Sequence, residues 1–141
     1  MKICVIGCGR WGSLITWYLA EKKGLDVTLY GRESSAAMRR FISERRNDLL
    51  TLPQSVGLST DISSAKDADV IIISIDSQGL SALMEELSAL NLQNIRLVRE
   101  GTEITQRCSI LPEQRENLYT WSEHLHPLMI TEKNFCRVLP M

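Results

Sequence analysis

Hydrophobic residues along the chain fall into short uninterrupted runs, separated by longer segments with apolar residues at helical spacing. The runs predict strands over residues 3–6, 26–30, 56–60, 69–75 and 95–98. The longer segments predict helices over residues 13–22, from Ser34 or Ser35 to about Arg46, briefly over 61–66, and over 77–90. Strands that alternate with helices in this way indicate an α/β protein with a doubly wound, mostly parallel sheet.

The runs at residues 3–6 and 69–75 lack polar alternation, so we expect both strands to be central and covered on both faces. Gly24 is expected to end the first helix as a left-handed C-cap residue. Two helices have an apolar stripe predicted to pack on the sheet, the first with Leu14, Ile15, Tyr18 and Leu19, the last with Leu80, Leu83, Met84 and Leu87.

A glycine-rich string, Gly7-Cys8-Gly9-Arg10-Trp11-Gly12, joins the first predicted strand to the first helix. In this position the first glycine allows a sharp turn, the second lets backbone approach a pyrophosphate, and the third lets helix and strand pack closely. The following helix presents N–H groups and the positive end of its dipole to the phosphates. The pattern predicts a Rossmann-type dinucleotide site, the alternative being a glycine turn without a ligand.

Residues after the second and fourth predicted strands extend this site. An acidic residue after the second strand would hold the ribose 2′-hydroxyl of NAD, but the chain has Gly31-Arg32 there and an acid only at Glu33. A guanidinium suits a 2′-phosphate, so we expect NADPH to be preferred and NADH tolerated, unless Arg32 is a solvated loop residue. Because ligands sit beyond the carboxyl ends of the strands, the segment from Ile75 to Gln78 should face the cofactor, and Ile75 and Gln78 are assigned to the site.

Composition limits the remaining classes of function. The 141 residues are enough for one domain, and the hydrophobic content of 44% and charged content of 23% are ordinary for a globular protein. A net charge of −1 gives no argument for nucleic acid or an anionic membrane as a partner. No apolar run approaches the roughly 20 residues of a membrane-spanning helix, and a first strand that begins at Lys2 leaves no room for a signal peptide.

Cysteine, histidine and arginine residues do not predict a second site. The four cysteines show no C-x-x-C pairing, so we interpret them as reduced thiols of a cytoplasmic protein. His124 and His126 with Cys108 and Cys136 fit no common zinc spacing, and no metal site is expected. The arginines of the second predicted helix are interpreted as a solvated face: Arg39, Arg40, Arg45 and Arg46.

A series of motifs in order along the chain resembles one enzyme family. The motifs are residues 7–12 with tryptophan before the third glycine, Tyr30-Gly31-Arg32, residues 42–47, Leu52-Pro53, Thr60-Asp61, residues 68–73 and Ser77-Gln78. Over residues 1 to about 97 they resemble the amino-terminal domain of NAD(P)-dependent glycerol-3-phosphate dehydrogenase. The resemblance implies that Arg10 and Trp11 belong to the cofactor loop and Arg32 to the adenosine-phosphate end. It also implies hydride transfer between the nicotinamide and dihydroxyacetone phosphate or glycerol 3-phosphate, supplying the phospholipid backbone in the cytoplasm.

The sequence departs from the family pattern at two positions. Asp76 stands where the family commonly has proline, and a buried carboxylate near an anionic cofactor would be unfavourable unless paired. Glu100 stands where the family places a lysine, and a carboxylate cannot stabilise a developing alkoxide or attract a phosphorylated substrate. No catalytic residue is therefore assigned in this chain.

The resemblance ends at about Glu103, so we predict a Rossmann cofactor domain over residues 1–103 and an atypical tail over 104–141, without the family's helical domain. We hypothesise a frameshifted or prematurely ended gene. One amphipathic helix is predicted over residues 113–125, with Leu118, Trp121 and Leu125 on one face. We then expect weak dinucleotide binding without dehydrogenase activity, and self-association through uncovered apolar surface. The alternatives are a non-catalytic nucleotide-binding module and another Rossmann reductase.

Overall fold

Six strands form one sheet in the part of the chain that the computed structural model describes, residues 1–76, 78–90, 92, 96–99 and 118–120. In chain order the strands are β1 (Lys2–Ile6), β2 (Asp26–Tyr30), β3 (Gly57–Ser59), β4 (Val70–Ile73), β5 (Arg96–Arg99) and β6 (Leu118–Thr120). They lie in the order β3-β2-β1-β4-β5-β6, and every neighbouring pair is parallel. The predicted doubly wound α/β sheet is confirmed, with the strand order reversing between β1 and β4.

The α-helices of the described residues are α1 (Arg10–Trp17), α2 (Ala36–Glu44) and α3 (Leu80–Ala89). A π-helical segment, Tyr18–Lys22, continues α1, and the φ angle of 62° at Gly24 confirms the predicted left-handed end. Ser35, rather than Ser34, caps α2, because its hydroxyl oxygen accepts a hydrogen bond from the Met38 N–H at 3.3 Å. Within the described residues, no helix has the length and apolar composition needed to cross a membrane.

Alternate residues of the central strands face opposite sides of the sheet, which produces two apolar clusters. On one side Val5 and Ile72 pack with side chains of α1 and α2. On the other side Ile6 and Ile71 pack with the stripe of α3, which is buried as predicted: Leu80, Leu83, Met84 and Leu87. The uninterrupted apolar runs therefore reflect strands that are covered by a helix layer on each face.

Small residues let α1 lie close to the sheet. The buried residues of α1 are Gly12, Ser13, Ile15 and Thr16, and the Thr16 hydroxyl is satisfied by donating to the Gly12 carbonyl oxygen at 2.8 Å. Leu14 is 41% exposed, so its prediction as part of the buried face is wrong. The closest approach of helix and strand favours small side chains, which a pattern of hydrophobic residues does not detect.

The strand β6 overturns the helix predicted over residues 113–125. Leu118–Thr120 pairs in parallel with β5, with Leu118 opposite Leu97 and Thr120 opposite Arg99. This pairing satisfies backbone groups along the edge of β5, and tyrosine and threonine favour strands. Pairing with a distant strand therefore outweighs the helical spacing of Leu118 and Trp121. The rest of that predicted helix lies outside the described residues.

Arg45 does not belong to a solvated face, so that interpretation is wrong for this residue. It is the half-buried C-cap of α2, with a φ angle of 57°. Its Nη2 donates to the carbonyl oxygens of Pro53 and Val56, both at 2.7 Å. Arg39 and Arg46 are exposed, as expected. Arg45 therefore ties the end of α2 to the segment that precedes β3.

Replacing Arg45 by alanine should lower the free energy of unfolding by about 2 kcal/mol, because two partly buried carbonyl groups lose a charged donor. Urea denaturation followed by circular dichroism measures this change. The matched control is Arg39→Ala on the exposed face of the same helix, which should stay within about 0.5 kcal/mol of the unsubstituted chain. Equal losses in the two variants would contradict a structural role for Arg45.

Candidate functional site

A cleft of about 360 Å³ opens at the point where the strand order reverses. Its walls consist of residues at the carboxyl ends of β1, β2 and β4, together with Leu83 of α3. In doubly wound sheets, ligands bind outside the carboxyl ends of the strands at such a switch point. The cleft is therefore where this fold is expected to hold a ligand.

The loop after β1 contains two glycines at positions where no larger residue fits. Gly7 has a φ angle of 114°, and a Cβ atom there would collide with the carbonyl oxygen of Ser74. The Gly7 N–H donates to the carbonyl oxygen of Tyr30 at 3.0 Å. A Cβ atom at Gly12 would collide with the carbonyl oxygen of Gly7. Packing within the fold alone therefore accounts for the first and third glycines of the motif.

The second glycine of the motif lies beside open space. A Cβ atom at Gly9 would have no other atom within 4 Å, and the residue is exposed. Gly9 is the N-cap of α1, and the Ser13 N–H makes the first hydrogen bond of that helix, to the Gly9 carbonyl oxygen at 3.0 Å. The preceding N–H groups have no acceptor within the helix, and the first turn contains no acidic residue. An open helix start of this kind binds anions, so the loop fits a pyrophosphate.

One wall of the cleft is formed by Tyr30, Gly31 and Arg32 at the end of β2. The Arg32 side chain is 58% exposed, and its Nη2 lies 3.3 Å from Oε1 of Glu86 on α3. Burial, reinforced by the Glu86 carboxylate, raises the pKa of the Tyr30 hydroxyl, which therefore stays neutral near pH 7. This wall combines a neutral aromatic ring with a cation that a phosphate is able to reach.

The segment after β4 forms the other wall. Ile75 lines the cleft and is half-buried, and its contact with a cofactor stays a prediction. Asp76 also lines the cleft but is exposed, and its Oδ1 accepts a hydrogen bond from the Gly79 N–H at 2.8 Å just before α3. The expected conflict of a buried, unpaired carboxylate therefore does not arise. Gln78 is exposed and lies outside the lining of the cleft, and Ser77 is outside the described residues.

The structure brings some of the predicted site residues together and separates others. Gly12 is buried beneath the loop, whereas Arg10 and Trp11 are exposed at the start of α1. Arg10 borders an adjoining cleft on the side of α2. The roles of all the predicted site residues in binding a cofactor stay predictions, including those of Arg10, Trp11 and Gln78. The predicted residues that do line the main cleft are Gly7, Gly9, Arg32 and Ile75.

Asp76 belongs to the segment that was expected to face the cofactor. Sequence reasoning missed the other lining residues, which are Ile6, Cys8, Tyr30, Gly31, Ser34, Ser35, Ser74 and Leu83. Four of them end or directly follow β1, β2 or β4, namely Ile6, Tyr30, Gly31 and Ser74. Considering every residue at these strand ends, rather than glycines and charges alone, would have identified these four. No sequence signal could have identified Leu83 as a lining residue. It belongs to the apolar stripe of α3, and only the packing of α3 on the sheet places it at the cleft.

A metal site was looked for among the described residues. Within that part of the chain, no group of three or more His, Cys, Asp or Glu side chains is placed to hold a metal ion. Glu100 lies outside the described residues, as does the set considered for zinc, namely Cys108, His124, His126 and Cys136.

Residues 2–106 match the model of a protein family described as NAD-dependent glycerol-3-phosphate dehydrogenase N-terminus. The chain is 38% identical over 93 residues to glycerol-3-phosphate dehydrogenase (NAD(P)+) of Leptospira biflexa serovar Patoc. It is 34% identical over 91 residues to the protein of the same name from Bradyrhizobium sp. (strain ORS 278). Each match covers 62% of this chain and 27% of the relative, so the chain spans little more than a quarter of the length of these relatives.

Solved structures with the same fold include a glycerol-3-phosphate dehydrogenase from Coxiella burnetii, with a TM-score of 0.63 at 21% identity. That match covers 70% of this chain and 31% of the other. A putative ketopantoate reductase from Ralstonia solanacearum MolK2 gives a TM-score of 0.56 at 21% identity, covering 70% of this chain and 30% of the other. At these identities the likeness establishes the Rossmann-like fold.

Replacing Gly12 by alanine should destabilise the chain by about 1–3 kcal/mol, because the added methyl group overlaps the Gly7 carbonyl oxygen. The matched control is Gly9→Ala, in which the added methyl group lies more than 4 Å from every atom outside the adjacent residues, and the backbone at this position is extended. We expect this control to stay within about 0.5 kcal/mol of the unsubstituted chain. Thermal unfolding of both variants without ligand measures the difference, and an equally destabilised Gly9→Ala would contradict the open space at that position.

Proposed function

Because the chain belongs to the NAD-dependent glycerol-3-phosphate dehydrogenase family, through the N-terminal domain of that family, we propose that residues 1–103 form a domain that binds NADPH or NADH. The observation that carries this proposal is the open space over Gly9 at the start of α1. Packing explains why Gly7 and Gly12 are glycines, whereas close approach of a ligand explains why Gly9 lacks a side chain.

The proposal assigns each part of the dinucleotide to a part of the cleft. The pyrophosphate binds the backbone N–H groups at the start of α1, beside Gly9. The adenosine lies along the end of β2, where Tyr30 and Arg32 line the cleft, and the nicotinamide extends toward Ile75 at the end of β4. When bound, the nicotinamide ring supplies or accepts a hydride. The described residues serve to bind and orient the dinucleotide.

Arg32 supports a preference for NADPH with tolerance of NADH. Its side chain is 58% exposed at the β2 end of the cleft, and the paired N–H donors of its guanidinium match the oxygens of a 2′-phosphate. The acidic residue that would favour a ribose 2′-hydroxyl is absent from the first two positions after β2. NADH retains the pyrophosphate contacts and lacks only the contact with Arg32.

For the whole protein we propose the reaction in the relatives' names, hydride transfer between the dinucleotide and glycerol 3-phosphate or dihydroxyacetone phosphate. Among the described residues, Arg32 is the only cation that lines the cleft. It lies at the adenosine end and is committed to the cofactor in this proposal. Groups that hold a phosphorylated substrate over the nicotinamide are therefore expected elsewhere. The alternative, a nucleotide-binding module without turnover, makes the same use of the cleft.

We also propose a cytoplasmic location and a role in supplying glycerol 3-phosphate for phospholipids. The two cysteines among the described residues, Cys4 and Cys8, are free thiols, which supports a reducing compartment. Burial raises the pKa of the Cys4 thiol to about 12, so this thiol stays protonated and unreactive in the folded chain.

The 141-residue chain should bind both dinucleotides without turning over dihydroxyacetone phosphate. At a dinucleotide concentration 100 times its Kd, the folded state gains about 2.7 kcal/mol, which thermal unfolding detects as a higher melting temperature. Absorbance at the nicotinamide band measures turnover in the same samples. An unchanged melting temperature with both dinucleotides would refute the binding proposal, and rapid NADPH oxidation would refute the prediction that this chain does not turn over dihydroxyacetone phosphate.

Arg32→Ala should weaken NADPH binding by about ten-fold and NADH binding by less than about two-fold, because only NADPH loses a charge-assisted pair. Isothermal titration calorimetry measures both Kd values. The matched control is Arg39→Ala, which removes the same charge from an exposed position on α2. Equal losses for NADPH and NADH, or no loss for either, would show that Arg32 does not bind the 2′-phosphate.

A further inference from the structure

An ion pair links two walls of the cleft at its adenosine end. Arg32 follows β2, and its Nη2 lies 3.3 Å from Oε1 of Glu86 on α3. Leu83, which lines the same cleft, lies one helical turn before Glu86. The two charged residues are separated by 54 positions in the sequence. A carboxylate of this chain therefore already occupies the guanidinium that faces the cleft.

We propose that Glu86 sets the preference between the two dinucleotides by competing with the 2′-phosphate for Arg32. This inference rests on the proposed binding of NADPH or NADH. The Glu86 carboxylate accepts from Nη2 of Arg32, and a phosphate held by paired guanidinium donors that include Nη2 requires the same N–H groups. The Arg32–Glu86 pair therefore has to open before a 2′-phosphate is bound in this paired way. The 2′-hydroxyl of NADH carries no charge and needs no such opening. Glu86 is thus a positioning residue that acts through Arg32.

The solvent exposure of both partners limits the size of this effect. The side chains of Arg32 and Glu86 are 58% and 38% exposed, and exposed ion pairs are weak. The guanidinium is therefore free for a sizeable fraction of the time, and the apparent NADPH affinity is reduced in proportion to that fraction. Together with repulsion between carboxylate and phosphate, the penalty on NADPH is about three- to five-fold. A penalty of this size reduces the advantage of NADPH without abolishing it.

The test compares Glu86→Gln with Glu85→Gln in the full 141-residue chain, with Kd values from isothermal titration calorimetry. Glu85 is the exposed neighbour of Glu86 on α3, so the control removes the same charge while leaving the Arg32–Glu86 pair in place. Glu86→Gln should tighten NADPH binding by about three- to five-fold and change NADH binding by less than about two-fold. Glu85→Gln should leave the ratio of the two Kd values unchanged.

Two further measurements locate the effect. Adenosine 2′,5′-bisphosphate and adenosine 5′-monophosphate should reproduce the same change in ratio, because the competition involves only the adenosine end. In the Arg32→Ala background, Glu86→Gln should no longer change the ratio by more than about two-fold, since the group through which it acts is gone. Melting temperatures without ligand should be nearly the same for all Glu86 and Glu85 variants, because Glu85 is exposed and an exposed ion pair such as Arg32–Glu86 contributes little to stability.

Several outcomes would overturn the inference. An equal gain for NADPH and NADH would indicate a general charge effect, and a loss of NADH binding in Glu86→Gln would make Glu86 a ligand of the ribose. An unchanged ratio in a chain that binds both dinucleotides would refute the inference and leave the proposed function in place. Failure of the unsubstituted chain to bind either dinucleotide would refute the proposed function itself.

Discussion

The contact between the glycine loop and the end of β4 is the constraint on which the rest of the structure depends. Gly7 turns at a φ angle of 114° against the carbonyl of Ser74, and Gly12 lies against the carbonyl of Gly7. Both approaches are closed to any side chain. They bring β1, α1 and β4 together where the strand order reverses, so the start of α1 opens into the cleft and Gly9 stays uncovered.

The two ends of the cleft depend on different kinds of interaction. At the loop the interaction is steric. A methyl group added at Gly12 would overlap the Gly7 carbonyl oxygen, and small shifts of the surrounding atoms would not make room for it. At the adenosine end the interaction is an exposed pair of opposite charges, Arg32 and Glu86, whose strength depends on solvent and on competing ions. The part of the cleft that we propose for the pyrophosphate, which every dinucleotide has, is therefore fixed by close packing. The part that we propose distinguishes one dinucleotide from another depends on a weak, exposed ion pair.

The sheet also shows where local patterns stop being informative. The family match ends at residue 106, yet Leu118–Thr120 pairs with β5 and extends the same sheet. The spacing of Leu118 and Trp121 would place them on one face of an isolated helix. The edge of β5, however, offers backbone hydrogen-bonding groups from a segment that is distant in the sequence, and residues 118–120 pair with it instead. Leu14 makes the same point within α1, because the buried face of this helix is formed by Gly12, Ser13, Ile15 and Thr16, which leaves a leucine at the surface.

The sequence by itself determined the central strands, the position of the loop and the class of ligand, because each follows from residues that are neighbours along the chain. Apolar residues in succession require cover on both faces, and the motif from Gly7 onward specifies a strand, a turn and a helix start. Only the tertiary structure decided which glycine is left open and which partners the arginines have. Arg45 reaches carbonyl groups before β3, and Arg32 meets Glu86 across 54 positions. Contacts between distant segments depend on how the helices pack on the sheet, and no local pattern of charge or hydrophobicity encodes that packing.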